Sequence, residues 1–327
     1  MDRSSTVKST DMTISLDNRP ELVEPAARTI LGAINLGDGG TEKQRHLLQS
    51  VVSKVWERPD LDISALSPLS PAEAAATFDT PLVRQRLRKF LVLFEFCRHP
   101  FTKEQVALVD SYEFALGDDG HDEGLHIARD FVREGLPKAL EDVQRVSAGI
   151  IAGLTEVSIA DHYSELDMKA PELADELRRF ADLPPGTLGR EYYDFYCRNS
   201  FDLPGEGHGS PSFFVRHDMC HIIAGYGPTS PEELALTAFH VGMNDNELNW
   251  NLLIVAMAAL EVGVFNSENF EAKMDILDRD GALELMVEGF VRGSHCTGDF
   301  SEIDHLGEAH CTVEELRERF GVIPRQL

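Results

Sequence analysis

Apolar residues recur at steps of three and four over most of this chain, and that spacing is the feature that most limits how it can fold. In TPLVRQRLRKFLVLFEFC (80–97), for example, Leu87, Leu91 and Phe94 fall on one face of a helix. The same period is found in segments 42–56, 102–116 and 171–183. Runs of alternating β-branched residues, which would indicate strands, are few. The sequence therefore predicts an all-α protein.

The domain organisation follows from length and from one break in the helical pattern. A chain of 327 residues suggests two domains, and GDDGHDEG (117–124) interrupts the helices. We expect a disordered tail over 1–19, an N-terminal helical domain over 20–132 and a C-terminal helical bundle over 133–327. The opening residues are polar and include three aspartates, which is unlike a signal peptide or a mitochondrial presequence.

Charge and cysteine content narrow the choice of partners and compartment. A net charge of −26 argues against nucleic acid as a partner and against electrostatic attachment to anionic lipid. Five widely spaced cysteines without a CxxC pair are typical of a reducing compartment. The longest apolar run, 252–260, is well short of the roughly 20 residues that span a bilayer. We expect a cytoplasmic protein with at most a peripheral membrane association.

The segment RHDMCHIIAGYGPTSPEELALTAF (216–239) carries the strongest chemical motif. On a helix, His217 and His221 lie one turn apart on the same face, so both imidazoles can reach one point. Metal sites often use this spacing. Asp218 could add a ligand, orient a histidine or activate a bound water. Cys220 points away from the two histidines and is interpreted as a packed apolar residue.

The residues after this helix leave two interpretations open. Gly225 is a natural helix end, and Pro231 fits the start of a second helix with Ser230 as its cap. A short connection would fold the second helix back and bring Glu233 to the histidines. Two histidines and two carboxylates would then suit zinc or ferrous iron. Alternatively, Ser230-x-x-Glu233 is a capping box, in which Glu233 only satisfies backbone donors.

The spacing His217-Asp218-x-x-His221, eleven residues, then Glu233 resembles the motif of the Coq-four family of coenzyme Q (ubiquinone) biosynthesis. The chain around it is also similar to the family, in the segments LPPGTLGREYYDFY (183–196), NSFDLP (199–204) and TVEELRERFGVIP (312–324). The resemblance covers residues 140–327. It implies an all-helical bundle in which these four side chains bind one divalent metal, zinc or iron, and form the catalytic site.

The resemblance also implies a function: oxidative loss of the ring carboxylate from a prenylated or otherwise hydrophobic aromatic carboxylic acid. Other biosynthetic enzymes and a second copy of the chain are expected partners. The alternative is a non-catalytic scaffold that binds lipid or quinone. The apolar helix 250–265, with Met243 and Met257, could belong to a prenyl tunnel, but burial in the core is the favoured interpretation.

Two other enzyme classes share part of the motif. A metal-dependent hydrolase is suggested by zinc sites of the His-Glu-x-x-His type, although Asp218 is one methylene shorter than the usual glutamate base. An HD-type phosphohydrolase also pairs histidine with aspartate. That class is less well matched, because no cluster of basic residues here suggests a phosphate subsite.

In the N-terminal half, an Asp-Gly turn followed by a glutamate and a helix occurs twice, a pattern that resembles the TerB-like helical domain. The four acidic residues, which could bind a second metal or simply cap helices, are Asp38, Glu42, Asp119 and Glu123. Capping is the favoured interpretation. His208 and His240 receive no role from the sequence.

Overall fold

The computed structural model describes residues 14, 16, 19–37, 39–117, 127–154, 169–207, 212–264 and 273–325. These residues form fourteen α-helices, and no β-strand occurs among them. The prediction of an all-α protein is confirmed. None of the helices in the described ranges has the length and apolarity that a bilayer crossing requires.

The helices are numbered in the order in which they occur along the chain. The first seven are α1 (Val23–Ala33), α2 (Glu42–Ser50), α3 (Pro71–Thr77), α4 (Pro81–Phe96), α5 (Lys103–Ala115), α6 (Ile127–Glu134) and α7 (Leu136–Leu154). The remaining seven are α8 (Pro171–Arg179), α9 (Leu188–Asn199), α10 (Phe214–Ala224), α11 (Ser230–Met243), α12 (Glu247–Leu260), α13 (Ala282–Ser294) and α14 (Val313–Phe320). Helix α2 continues directly into a single π-helical turn, Val51–Val55.

Two hydrophobic clusters form the core. The first joins the N-terminal helices to α11, α12 and α13, and at its centre Phe90 packs edge-on against Trp56 and Trp250, with ring centroids 5.2 Å away in both cases. The second joins α8 to α11 with α13 and α14. Residues on both sides of position 132 share the first cluster, and the domain boundary stays a prediction.

The apolar helix α12 lies in the core, in agreement with the favoured interpretation. Leu253, Ile254 and Met257 are fully buried in the first cluster, whereas Met243 belongs to the second. The two methionines therefore do not line a common tunnel. Ile14, within the predicted tail, is also buried, and its carbonyl oxygen accepts a hydrogen bond from Trp56 Nε1 at 3.2 Å.

Helix α11, which carries Glu233, is held against α13 by glycines. A Cβ placed on Gly289 would lie 3.0 Å from the carbonyl carbon of Ala235 and nearer still to its oxygen. A Cβ on Gly293 would lie 2.8 Å from the backbone nitrogen of Met243. Both positions leave room only for hydrogen, so the two helix backbones approach closely.

Two arginines secure the C-terminal end of α10, the helix that carries the histidines. Arg317 donates to the carbonyl oxygens of Ile223 and Ile222 at 2.8 and 2.9 Å, and Arg292 donates to that of Ala224 at 2.7 Å. The last carbonyls of a helix have no partner within it, and they attract cations. The predicted end at Gly225 is confirmed by its left-handed backbone, with φ at 82°.

Candidate metal centre

Helix α10 brings the two predicted histidines together. The Nε2 atoms of His217 and His221 lie 3.2 Å apart, as expected for residues one turn apart on the same face. His221 is buried, with 1% of its side chain exposed, whereas His217 retains 13%. One imidazole therefore belongs to the interior, and the other faces outward at the edge of the cluster.

Glu233, in the first turn of α11, reaches both histidines. Its Oε2 lies 3.3 Å from His217 Nε2, and its Oε1 lies 3.2 Å from His221 Nε2. The chain between the helices folds back after Gly225, as the sequence predicts. The carboxylate therefore spans the two imidazoles from the neighbouring helix.

The cap of α11 differs from the sequence prediction by one residue. Thr229, not Ser230, is the N-cap, with an extended backbone at φ −79° and ψ 151°. Its hydroxyl donates to Glu232 Oε2 at 2.7 Å, while the hydroxyl of Ser230 accepts from Lys273 Nζ at 2.9 Å. The capping-box interpretation is wrong, because α11 has no side-chain cap and Glu233 contacts His217 and His221 instead. That shift leaves Glu233 facing α10.

Asp218 lies beside the histidines and is buried. Single donor atoms of His217, Asp218 and His221 all lie within 4.8 Å of one another. The hydroxyl of Tyr196, on α9, donates a short hydrogen bond to Asp218 Oδ2. Sequence reasoning assigned no role to Tyr196, although it lies in a segment that resembles the Coq-four family. Its contact with Asp218 depends on how α9 packs against α10.

The electrostatics of the cluster follow from burial and from opposite charges at close range. Burial alone would raise the pKa of Glu233, but the charge on His221 and hydrogen bonds from His217 and His221 lower it. Burial would lower the pKa of His221, and Glu233 raises it. Burial raises the pKa of Asp218, against the opposing influence of the two histidines. Glu233 is therefore the carboxylate that stays ionised most readily.

Aromatic rings surround the cluster. Phe195 stacks on His221 with ring centroids 6.1 Å apart, and Phe214 meets His217 edge-on at 5.8 Å. Phe213 stacks on Phe214 at 4.3 Å. Phe201, beside Phe195, leaves 46% of its surface exposed. The open side of the cluster thus has an apolar, aromatic border.

The remaining residues that the sequence singled out lie as follows. His240 is buried near the cluster, and burial lowers its pKa to about 3 against the opposing charge of Asp299. Cys220 is buried, as predicted, with Sγ 3.8 Å from His305 Nε2. The positions that fall outside the described residues are Asp38, Asp119, Glu123 and His208. A second metal site at the N-terminal acidic residues stays untested.

A second group of ligand-type side chains, His99, Glu261 and Asp275, occurs near the N-terminal helices. Lys43 Nζ already lies 2.5 Å from Glu261 Oε1 and 3.6 Å from Asp275 Oδ1. The ammonium group thus supplies a positive charge among these carboxylates. This group is therefore better described as a buried ion-pair network than as a metal site.

The spacing of His217, His221 and Glu233 can be compared with that of known metal ligands. In tetrahedral zinc sites with bonds of about 2.0 to 2.1 Å, neighbouring ligand atoms lie about 3.3 Å apart. The two histidine Nε2 atoms lie 3.2 Å apart, and each lies 3.2 to 3.3 Å from its own oxygen of Glu233, Oε2 for His217 and Oε1 for His221. Imidazole nitrogen with carboxylate oxygen is a ligand set that zinc and ferrous iron both accept. The residues present fit a divalent metal.

The chain was compared with protein families, curated proteins and solved structures, and only the solved structures gave matches. No protein-family model matches the chain, and no curated protein matches it. The chain is similar to the crystal structure of a candidate ubiquinone biosynthesis protein from Nostoc punctiforme PCC 73102, with 21% sequence identity and a TM-score of 0.36. The match covers 63% of this chain and 99% of that one.

Proposed function

We propose that the C-terminal helices form a Coq-four-like enzyme that binds one divalent metal, zinc or iron, and decarboxylates a prenylated or otherwise hydrophobic aromatic carboxylic acid with oxidation of its ring. The observation that carries the proposal is the convergence of His217, His221 and Glu233 from two helices at separations typical of metal ligands. The spacing of these residues along the chain, which resembles the Coq-four motif, supports it.

In this proposal His217, His221 and Glu233 hold the metal, with Asp218 as a fourth ligand or as the group that orients a bound water. When bound, either metal would polarise a phenolic oxygen of the substrate, and iron would also supply the activation of dioxygen that zinc cannot provide. Tyr196 fixes the Asp218 carboxyl through its hydroxyl. Burial raises the pKa of Asp218, which makes its carboxylate a better proton acceptor than an exposed one.

The aromatic border favours a flat, apolar substrate. Phe213, Phe214 and Phe201 would pack against a benzenoid ring and a hydrocarbon tail, and aromatic stacking contributes about 0.5 to 1.5 kcal/mol beyond the burial of area. A carboxylate on the ring would be repelled by Glu233 and Asp218 unless a cation lay between them. Substrate and metal are therefore expected to bind together.

Elemental mass spectrometry of protein purified without chelators or a histidine tag tests the metal directly. We expect near one zinc or iron per chain, and near one iron would favour the oxidative reaction. His221→Ala and Glu233→Gln should lower the metal content at least tenfold. His310→Ala, which removes an exposed imidazole, should leave it unchanged.

Turnover is tested with a prenylated 4-hydroxybenzoate labelled in its carboxyl carbon. We expect release of labelled carbon dioxide with consumption of dioxygen, and loss of both in His221→Ala. Metal and ligand binding without release of label would contradict the catalytic proposal and support the non-catalytic scaffold. An absence of metal in the wild-type protein would contradict both the site and the reaction.

A further inference from the structure

A cavity lies between α4 and the turn that leads into α12, apart from the metal cluster, which is the proposed metal site of His217, Asp218, His221 and Glu233. Its volume is about 190 Å³. Leu82, Arg86 and Lys89 line one side, at helical spacing on one face of α4. Asp245 and Trp250 line the other. It shares no residue with the metal cluster, and nothing in the proposed function uses it.

Arg86 is the central feature of this cavity. Its side chain is 2% exposed, and its Nε donates a short hydrogen bond to Asp245 Oδ2. Trp250 Nε1 donates to the other oxygen of Asp245 at 2.7 Å. No group among the described residues accepts a hydrogen bond from Arg86 Nη1 or Nη2, although both atoms are buried. Buried donors of a charged group are costly to leave without an acceptor.

A second cation lines the same cavity. Lys89 is 1% exposed, and its Nζ lies 2.8 Å from Glu247 Oε2 and 3.4 Å from Asn251 Oδ1. Glu247 is therefore an anionic partner of Lys89 among the described residues. Glu247 is 54% exposed, so water screens its charge and it can turn outward at low cost.

The N-terminus of α12 lies at the same cavity. Asn246 caps the helix by accepting from Asn249 N at 2.9 Å, and Asn246 and Glu247 both line the cavity. The first backbone N–H groups of a helix carry partial positive charge and often bind anions. Asp245 and Glu247 pair with the two cations, so the features that favour an anion are the two buried Nη atoms of Arg86 and the helix N-terminus.

We propose that this cavity binds a small oxyanion, a carboxylate or phosphate group, whose oxygens accept hydrogen bonds from Arg86 Nη1 and Nη2, with the positive charge of Lys89 close by. An arginine fork and two oxygens form paired hydrogen bonds of this kind. A protein cavity of about 150 Å³ can hold benzene, so this one accommodates an anion up to about the size of benzoate. Leu82 and Trp250 provide apolar contact for such a ring.

The test is titration of the full-length protein with sodium phosphate and, separately, with sodium benzoate in chloride-free buffer, followed by calorimetry. A second readout is Trp250 fluorescence in Trp56→Phe, which leaves Trp250 as the single tryptophan of the chain. We expect saturable binding of at least one anion at millimolar or lower Kd. Preference for phosphate would identify phosphate groups as the ligand class, and preference for benzoate would identify carboxylates.

Variants of the two buried cations test whether the anion binds in this cavity. Arg86→Met and Lys89→Gln should each weaken binding at least tenfold, while Arg133→Gln, the same loss of charge at a side chain 70% exposed, should not change it. If Arg86→Met fails to fold, Leu82→Trp provides the test, because it fills the cavity and leaves both cations in place.

Binding should persist in His221→Ala, which disrupts the metal cluster. Loss of binding there with retention in Lys89→Gln and Leu82→Trp would place the anion at the metal cluster and overturn the proposal. The absence of saturable binding of either anion up to about ten times a millimolar Kd would overturn it as well.

Discussion

Because α11 and α13 are in close contact, replacing glycine by alanine in α13 should lower the stability of the protein, although the same substitution usually raises it. Replacing glycine by alanine within a helix normally stabilises it by about 1 kcal/mol. At Gly289, however, the new Cβ would meet the backbone of Ala235 at 3.0 Å or less, where carbon–oxygen contacts are normally about 3.3 Å or more. We therefore expect Gly289→Ala to destabilise the protein.

The size of the destabilisation depends on whether the neighbouring atoms can move away from the new Cβ. The atoms that the Cβ of Gly289 or Gly293 would meet are backbone atoms of α11, so no side chain can rotate aside. The helices would have to separate by on the order of 1 Å, and overpacking of this kind costs about 1 to 3 kcal/mol. At the upper end of that range, and after the gain in helix propensity, a net loss of about 2 kcal/mol remains for each variant.

Gly149 provides the matched control. It lies exposed within α7, and a Cβ there would meet nothing within 4 Å, so Gly149→Ala should gain about 1 kcal/mol. Urea unfolding of the three variants measures the change in the free energy of unfolding, which should be negative for Gly289→Ala and Gly293→Ala and positive for Gly149→Ala. Because Ala235 follows Glu233 by two residues, Gly289→Ala should also weaken zinc binding. A Gly289→Ala protein as stable as Gly149→Ala would refute the close approach of the helices.

Three further predictions concern buried polar groups. Burial raises the pKa of Glu95 to about 7 from 4.5, despite Arg129. Wild-type stability from protonated Glu95 is therefore complete below pH 4.5 and is lost as the pH rises through 7. Glutamine cannot ionise, so the free energy of unfolding of Glu95→Gln relative to wild type should rise by about 3 kcal/mol between pH 4.5 and 8, measured by urea unfolding. Tyr196→Phe should cost about 2 kcal/mol by leaving Asp218 without its donor, and calorimetric zinc titration should show weaker binding. Arg317→Met should cost about 1 to 3 kcal/mol in thermal unfolding, because two terminal carbonyls of α10 lose their donor.

Local sequence rules were sufficient where a feature depends only on neighbours along the chain. The period of apolar residues predicted α4 and α5 within one or two residues, and Thr312 and Gly321 bound α14 as predicted, with a capping box to Glu315. The spacing of His217 and His221 predicted their meeting, because helix geometry alone determines it. These features need no knowledge of the tertiary fold.

Features that depend on packing between distant elements were not predictable in the same way. Tyr196 meets Asp218 because α9 lies against α10, and Arg86 meets Asp245 because α4 lies against the turn before α12. Neither pair has a local sequence pattern. An arginine on an amphipathic helix, in particular, is expected to be solvated until its surroundings are known.

The position of Glu233 shows how one residue of register can decide between two chemical interpretations. With Ser230 as the cap, Glu233 would bond to the backbone of its own helix. With Thr229 as the cap, Glu232 accepts from the Thr229 hydroxyl and Glu233 reaches the histidines. Each imidazole can donate an Nε2–H to its own oxygen of Glu233, but the two protonated Nε2 atoms would then face each other at 3.2 Å. A cation at the common point would meet the lone pairs of all three groups at once, and this is the physical basis for preferring a metal there.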